Sequence, residues 1–129
     1  KAGRAAFMSA NLDESHEIAL MEVGAEAEGP RQSQVGLNHM AWRMESLDDL
    51  TDFYNNLKAK DVPVKGVSDH GLSLGIYLQD PDGNGIEVYF ETPRTEWHRQ
   101  DNIFMSSDGP KGNFPGPWDE ILKPDEVSA

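Results

Sequence analysis

The sequence predicts an α+β domain, with one amphipathic helix set among short strands. Three observations carry that expectation. Residues 36–42 (GLNHMAW) alternate as a strand does. Residues 46–60 hold a capped helical period. Residues 72–91 are two strand-like runs separated by Asp80-Pro81-Asp82-Gly83-Asn84-Gly85, a dense turn signal.

The elements follow in order. Residues 4–10 (RAAFMSA) are short, apolar and bounded by Gly3 and Asn11, which suits a strand. After a polar turn, residues 16–23 (HEIALMEV) form a second strand, with Ile18 and Leu20 on the face of His16. Residues 24–35 lack apolar periodicity and read as a linker. A strand over 37–44 puts Leu37, His39, Ala41 and Arg43 on one face and Met40, Trp42 and Met44 on the other.

Ser46 is a natural N-cap, with Asp49 three residues on in the manner of a capping box. Asp48, Asp49 and Asp52 fall in the first turns, where the helix dipole favours anions. Leu47, Leu50, Phe53, Tyr54 and Leu57 supply the apolar stripe. The helix should stop near Lys60, ahead of Val62-Pro63. Strands are expected over 62–67, 72–79 and 86–91, with a turn at Asp69-His70-Gly71. In the last strand Glu87 and Tyr89 share one face, and Ile86, Val88 and Phe90 the other. Pro93 ends the sheet, so residues 1–93 form the domain and 94–129 an irregular Pro/Gly-rich tail. That tail contains the apolar cluster Phe114-Pro115-Gly116-Pro117-Trp118, which needs a surface to pack on.

Composition excludes several classes. Lys and Arg total 11 against 23 Asp and Glu, a formal charge of −12, which disfavours nucleic acid and anionic membrane as partners. With no Cys, disulfides, thiolate metal sites and Cys nucleophiles are ruled out. No apolar run approaches the ~20 residues of a membrane-spanning helix. A cytoplasmic protein is expected.

His39 and Glu87 are the metal-competent side chains of this pattern. A neutral imidazole and a carboxylate are two of the three ligands in the 2-His-1-carboxylate site of non-heme Fe(II) enzymes. Glu87 stands in an otherwise apolar run, and a bare buried carboxylate is costly. A metal would remove that cost; the bland alternatives are a core histidine and a solvent-facing glutamate. The Asp-Gly and Asn-Gly pairs at 82–85 are turn chemistry that fixes the register of Glu87. Asp80 and Asp82 do not have calcium-loop spacing.

Residues 4–97 resemble the vicinal oxygen chelate superfamily of glyoxalase I, bleomycin and fosfomycin resistance proteins and extradiol dioxygenases. The most specific match is His70-Gly71-Leu72-Ser73, then Ile76-Tyr77-Leu78, then the run from Asp80 to Glu87. This combination is similar to single-domain, catechol 2,3-dioxygenase-like members. The resemblance implies paired βαβββ modules whose mixed sheets curve into a cup around a metal. Here residues 1–23 would be the end of an incomplete first module, 24–35 a linker and 36–93 the second module.

The resemblance also implies roles. His39 and Glu87 would bind the metal, with a third ligand expected upstream of Lys1. Fe(II) is the expected metal, with Mn, Zn or Ni as alternatives. His16 would be the acid–base group taking a catechol proton. Tyr77 would hydrogen-bond a substrate oxygen, and His70 would line the pocket mouth. Leu74 stands near a place where some extradiol enzymes carry a further His, and His98 is expected at the surface. The activity implied is extradiol cleavage of a small aromatic diol by O2. The alternatives are a glyoxalase-type isomerase or lyase and a non-catalytic small-molecule-binding protein. The incomplete first module leaves sheet edges uncovered, which predicts a homodimer or higher homo-oligomer with Phe114 and Trp118 as anchors, unless the tail folds back over its own sheet.

Overall fold

The structure, a computed structural model, describes residues 3–31, 33–96 and 114–118. His98 and its expected surface position lie outside these residues. The order is β1 (Ala5–Met8), β2 (Ile18–Met21), β3 (Met40–Arg43), α1 (Leu47–Ala59), β4 (Val64–Asp69), β5 (Ser73–Gln79) and β6 (Gly85–Glu91), then a 3-10 turn at Arg94–Glu96. The α+β class holds, and β3-α1-β4-β5-β6 is one complete βαβββ unit.

Two sheets result. β1 and β2 form an antiparallel hairpin by themselves. The other four strands run β3-β6-β5-β4, with β3 parallel to β6 and the remaining pairs antiparallel. The chain leaves β3 at one edge, crosses through α1 to β4 at the other edge, and returns by two hairpins to β6. That return places the end strand beside the first, so His39 and Glu87 become neighbours despite their separation in sequence.

The helix boundaries have local causes. Ser46 Oγ accepts from the Asp49 backbone N–H at 3.0 Å and donates to Asp49 Oδ2 at 2.6 Å. Removing such a cap costs about 1 kcal/mol. At the far end Val62 N–H reaches Leu57 O at 2.9 Å and Asp61 N–H reaches Lys58 O at 3.2 Å, a Schellman closure. Asp61 takes the left-handed position there, with φ of 53°.

One face of the four-stranded sheet packs on α1. Leu50, Tyr54 and Leu57 of the helix meet Val67, Leu74, Ile76, Leu78 and Val88 of the sheet. Leu50, Leu74 and Ile76 are wholly buried, and each contributes roughly 1.5–3 kcal/mol of apolar burial. Leu74 therefore points into this core and does not line a substrate pocket.

Several expectations are adjusted. The first three strands are shorter than expected, and Leu37 is left exposed. The strand expected over 62–67 is displaced to Val64–Asp69, because the Schellman closure holds Val62 and the turn starts only where His70 N–H reaches Ser73 O. The tail cluster folds back on its own chain. Phe114 is buried in the core, edge-on to Phe90 at 6.1 Å, and Trp118 sits edge-on to Tyr54 at 5.3 Å. The indole N–H of Trp118 donates to Phe114 O at 2.9 Å. Phe114 is thus a core residue of its own chain and not an anchor for a neighbour. Among the described residues, no helix is long and apolar enough to cross a membrane.

Candidate metal centre

The opposite face of the sheet is polar. In an antiparallel ladder, paired residues project to the same side. Tyr77 pairs with Glu87 and Gly75 with Tyr89, while Ala41 sits beside Glu87 across the parallel pair. His39 precedes β3 and leans over the same face.

Three side chains meet there. His39 Nε2 lies 3.0 Å from Glu87 Oε2. The Tyr77 hydroxyl donates to Glu87 Oε1 at 2.7 Å. The His39 and Tyr77 rings stand edge to face with centroids 5.7 Å apart. The Glu87 side chain keeps 14% of its exposure and that of His39 32%, so the pair is recessed but open.

Glycines make this approach possible. A Cβ on Gly75 would collide with Glu87 Oε1, so the carboxylate lies in the space that any other residue would fill. A Cβ on Gly85 would collide with Asn38 O, so Gly85 lets the backbone entering β3 pass close to β6. The turn ahead of β6 is stapled by Asp80. Its Oδ1 accepts from Asp82 N–H at 3.0 Å and Asn84 N–H at 2.8 Å, and its Oδ2 from Asn84 Nδ2 at 2.8 Å. Burial acts to raise the Asp80 pKa, but these bonds together outweigh it and hold the carboxyl below its ordinary value.

The tautomer of His39 is set locally. Asn38 Oδ1 lies 2.6 Å from His39 Nδ1, and an amide oxygen can only accept, so Nδ1 carries a proton. Nε2 is left to face Glu87. Second-side hydrogen bonds of this kind orient metal-binding histidines. The 3.0 Å spacing of Nε2 and Oε2 also fits two adjacent metal ligands. Ligands held at about 2.0–2.2 Å and a right angle stand roughly 3 Å apart. The pair therefore fits a divalent metal as two of its protein donors. Among the described residues, no group of three His, Asp or Glu side chains converges to hold a metal.

The remaining candidates divide. Burial and then the Glu87 carboxylate raise the Tyr77 pKa far above its ordinary value, so the phenol is a hydrogen-bond donor and not a base. His70 stands in the turn between β4 and β5, where its backbone N–H donates to Ser73 O at 2.8 Å; burial lowers its pKa against the charges of Glu87 and Asp69. The structure places His16 on the β1–β2 hairpin, edge-on to Phe7 at 5.3 Å with Ser15 Oγ 3.0 Å from its Nδ1. Its contacts there are with residues of its own hairpin.

Sequence reasoning passed over Asn38 and Gly75. Both had signals: an amide directly before the candidate ligand, and a glycine inside a strand, which often marks close approach.

The family model described as Glyoxalase/Bleomycin resistance protein/Dioxygenase superfamily matches residues 3–88. Over 120 residues the chain is 32% identical to biphenyl-2,3-diol 1,2-dioxygenase 2 of Rhodococcus globerulus, covering 91% of this chain and 61% of that protein. It is 39% identical over 70 residues to catechol-2,3-dioxygenase of Bacillus subtilis (strain 168), covering 54% and 24%. Over 107 residues it is 31% identical to biphenyl-2,3-diol 1,2-dioxygenase 3 of Rhodococcus globerulus, covering 78% and 56%. The chain thus spans less than two-thirds of the length of each of these relatives. No solved structure matches it.

Proposed function

This chain belongs to the Glyoxalase/Bleomycin resistance protein/Dioxygenase superfamily, and on that premise we propose that the protein is a metal-dependent extradiol dioxygenase acting on a small aromatic diol and O2. The observation that carries the proposal is the His39–Glu87 pair, 3.0 Å apart, with the Tyr77 hydroxyl on the second carboxylate oxygen. Three relatives whose names are those of dioxygenases support the same activity.

In this proposal His39 Nε2 and Glu87 Oε2 would hold Fe(II) as two of its protein donors. Bound there, the metal would bring diol and O2 together and carry charge between them. The rest is the work of the side chains. Asn38 keeps His39 in the tautomer whose Nε2 lone pair faces the site. Gly75 leaves room for the carboxylate. Tyr77, held protonated, donates to a substrate oxygen. His70 lines the mouth and accepts or donates at the diol. His16 would be the base that takes a diol proton, a role implied by the family resemblance; the structure holds it on its own hairpin beside Phe7. Both atoms of O2 end in the product, and the ring bond beside the diol breaks.

The test is oxygen uptake by Fe(II)-loaded protein with catechol and with 2,3-dihydroxybiphenyl, alongside detection of the ring-opened semialdehyde acid. Uptake matched one-to-one by product supports the proposal. An iron-loaded protein that consumes no O2 with either diol contradicts it.

A further inference from the structure

Ser68, on β4, pairs directly with Gly75 on β5. Their side-chain directions are therefore the same, and the Gly75 direction leads to Glu87 Oε1. Ser68 is fully buried, and among the described residues its hydroxyl has no hydrogen-bond partner. A hydroxyl is an expensive group to bury unpaired, and alanine would fill the position without that cost. Packing therefore gives no reason for a serine here, whereas the carboxylate leaning over Gly75 does.

Glu87 Oε1 has Tyr77 as its donor. The function proposed above needs the Tyr77 hydroxyl for a substrate oxygen, which would strip Oε1 of that bond. We propose that Ser68 is a positioning residue whose hydroxyl takes over Glu87 Oε1 when Tyr77 turns to substrate. Directly paired Cβ positions lie about 4.5–5.5 Å apart. Glu87 Oε1 lies against the Gly75 Cβ position, so the carboxylate of β6 leans over β5 towards the strand that carries Ser68, and rotation of the serine about χ1 among its staggered wells turns Oγ towards it. No proton is transferred; one donor replaces another, and Glu87 stays anchored throughout.

This inference rests on the assignment of Glu87 and His39 as metal ligands. It predicts a specific non-additivity, measured by titrating Co(II) into the metal-free protein. With Tyr77 intact, Ser68→Ala should change Co(II) affinity less than about twofold, since Tyr77 still holds Oε1, and should not lower the melting temperature of the metal-free protein. In a Tyr77→Phe background, Ser68→Ala should weaken Co(II) binding a further ~10-fold, the lower end of what lost outer-shell hydrogen bonds cost. Ser68→Cys in that background keeps the volume but supplies only a weak donor, and should behave as Ser68→Ala does. Effects of Ser68→Ala that are equal in the two backgrounds, or full recovery by Ser68→Cys, would overturn the inference and leave the metal assignment standing. A parent protein that takes up no Co(II) would overturn both.

Discussion

Tyr77 and Glu87 face each other directly across β5 and β6, and the tyrosine hydroxyl holds one carboxylate oxygen at 2.7 Å while His39 lies 3.0 Å from the other. Cross-strand register thus orients the candidate ligand: both side chains belong to regular strands, so neither relies on a loop for its position. Replacing Tyr77 by Phe keeps the ring and removes the donor. Turnover of a diol should fall by about 10²–10³-fold, as when one preorganised donor is removed. Metal content, measured on the same sample, should persist.

Gly75→Ala is expected to act on the carboxylate. The added methyl would take the space of Glu87 Oε1. Either Glu87 rotates away or the strands separate, and forced overpacking costs about 1–3 kcal/mol. The expected outcome is a folded variant with a lower melting temperature and sharply reduced metal uptake. Normal uptake would mean that the carboxylate does not need this space.

The Asp80 turn makes a pH prediction. Its folded pKa is lowered below the ordinary 3.8, so the unfolded chain binds more protons at Asp80 as the pH falls through that region. Its stabilising contribution is complete above the unfolded value and is lost as pH drops through the folded one. Asp80→Asn should therefore flatten the acid limb of the stability curve in the range below 3.8, with little change in shape near neutrality. Urea unfolding of parent and variant across that range checks it.

How much of this was legible in the sequence varied with the range of the interactions. Ser46, the Leu50–Leu57 stripe and Val62-Pro63 fixed the helix because caps and periodicity are local. The turn from Asp80 to Gly85 was equally plain, since Asp80 bonds only to its next few neighbours. The alternation around His39 and Glu87 identified the polar face, but which strand lay beside which came from the resemblance and the fold. The Tyr77–Glu87 bond, the space over Gly75 and the burial of the Ser68 hydroxyl depend on cross-strand register, which local pattern does not encode. The fate of Phe114 depended on a long-range fold-back, and composition alone left it open between its own core and a partner.

That fold-back has a stability consequence. Phe114 is buried against the core and Phe90. Phe114→Ala should cost about 3–5 kcal/mol, the usual range for a buried aromatic. Sedimentation should show the same association state for parent and variant, because the residue serves its own chain. Dissociation of an oligomer without loss of monomer stability would instead return Phe114 to an intermolecular role.

The central claim is that His39 and Glu87 bind one divalent metal together, and calorimetric titration of metal ion into the metal-free protein and its His39→Ala variant tests it most directly. The parent should bind one equivalent, and the variant should lose saturable binding at that site while keeping its fold by circular dichroism. Equal stoichiometry and affinity in parent and variant would contradict the claim.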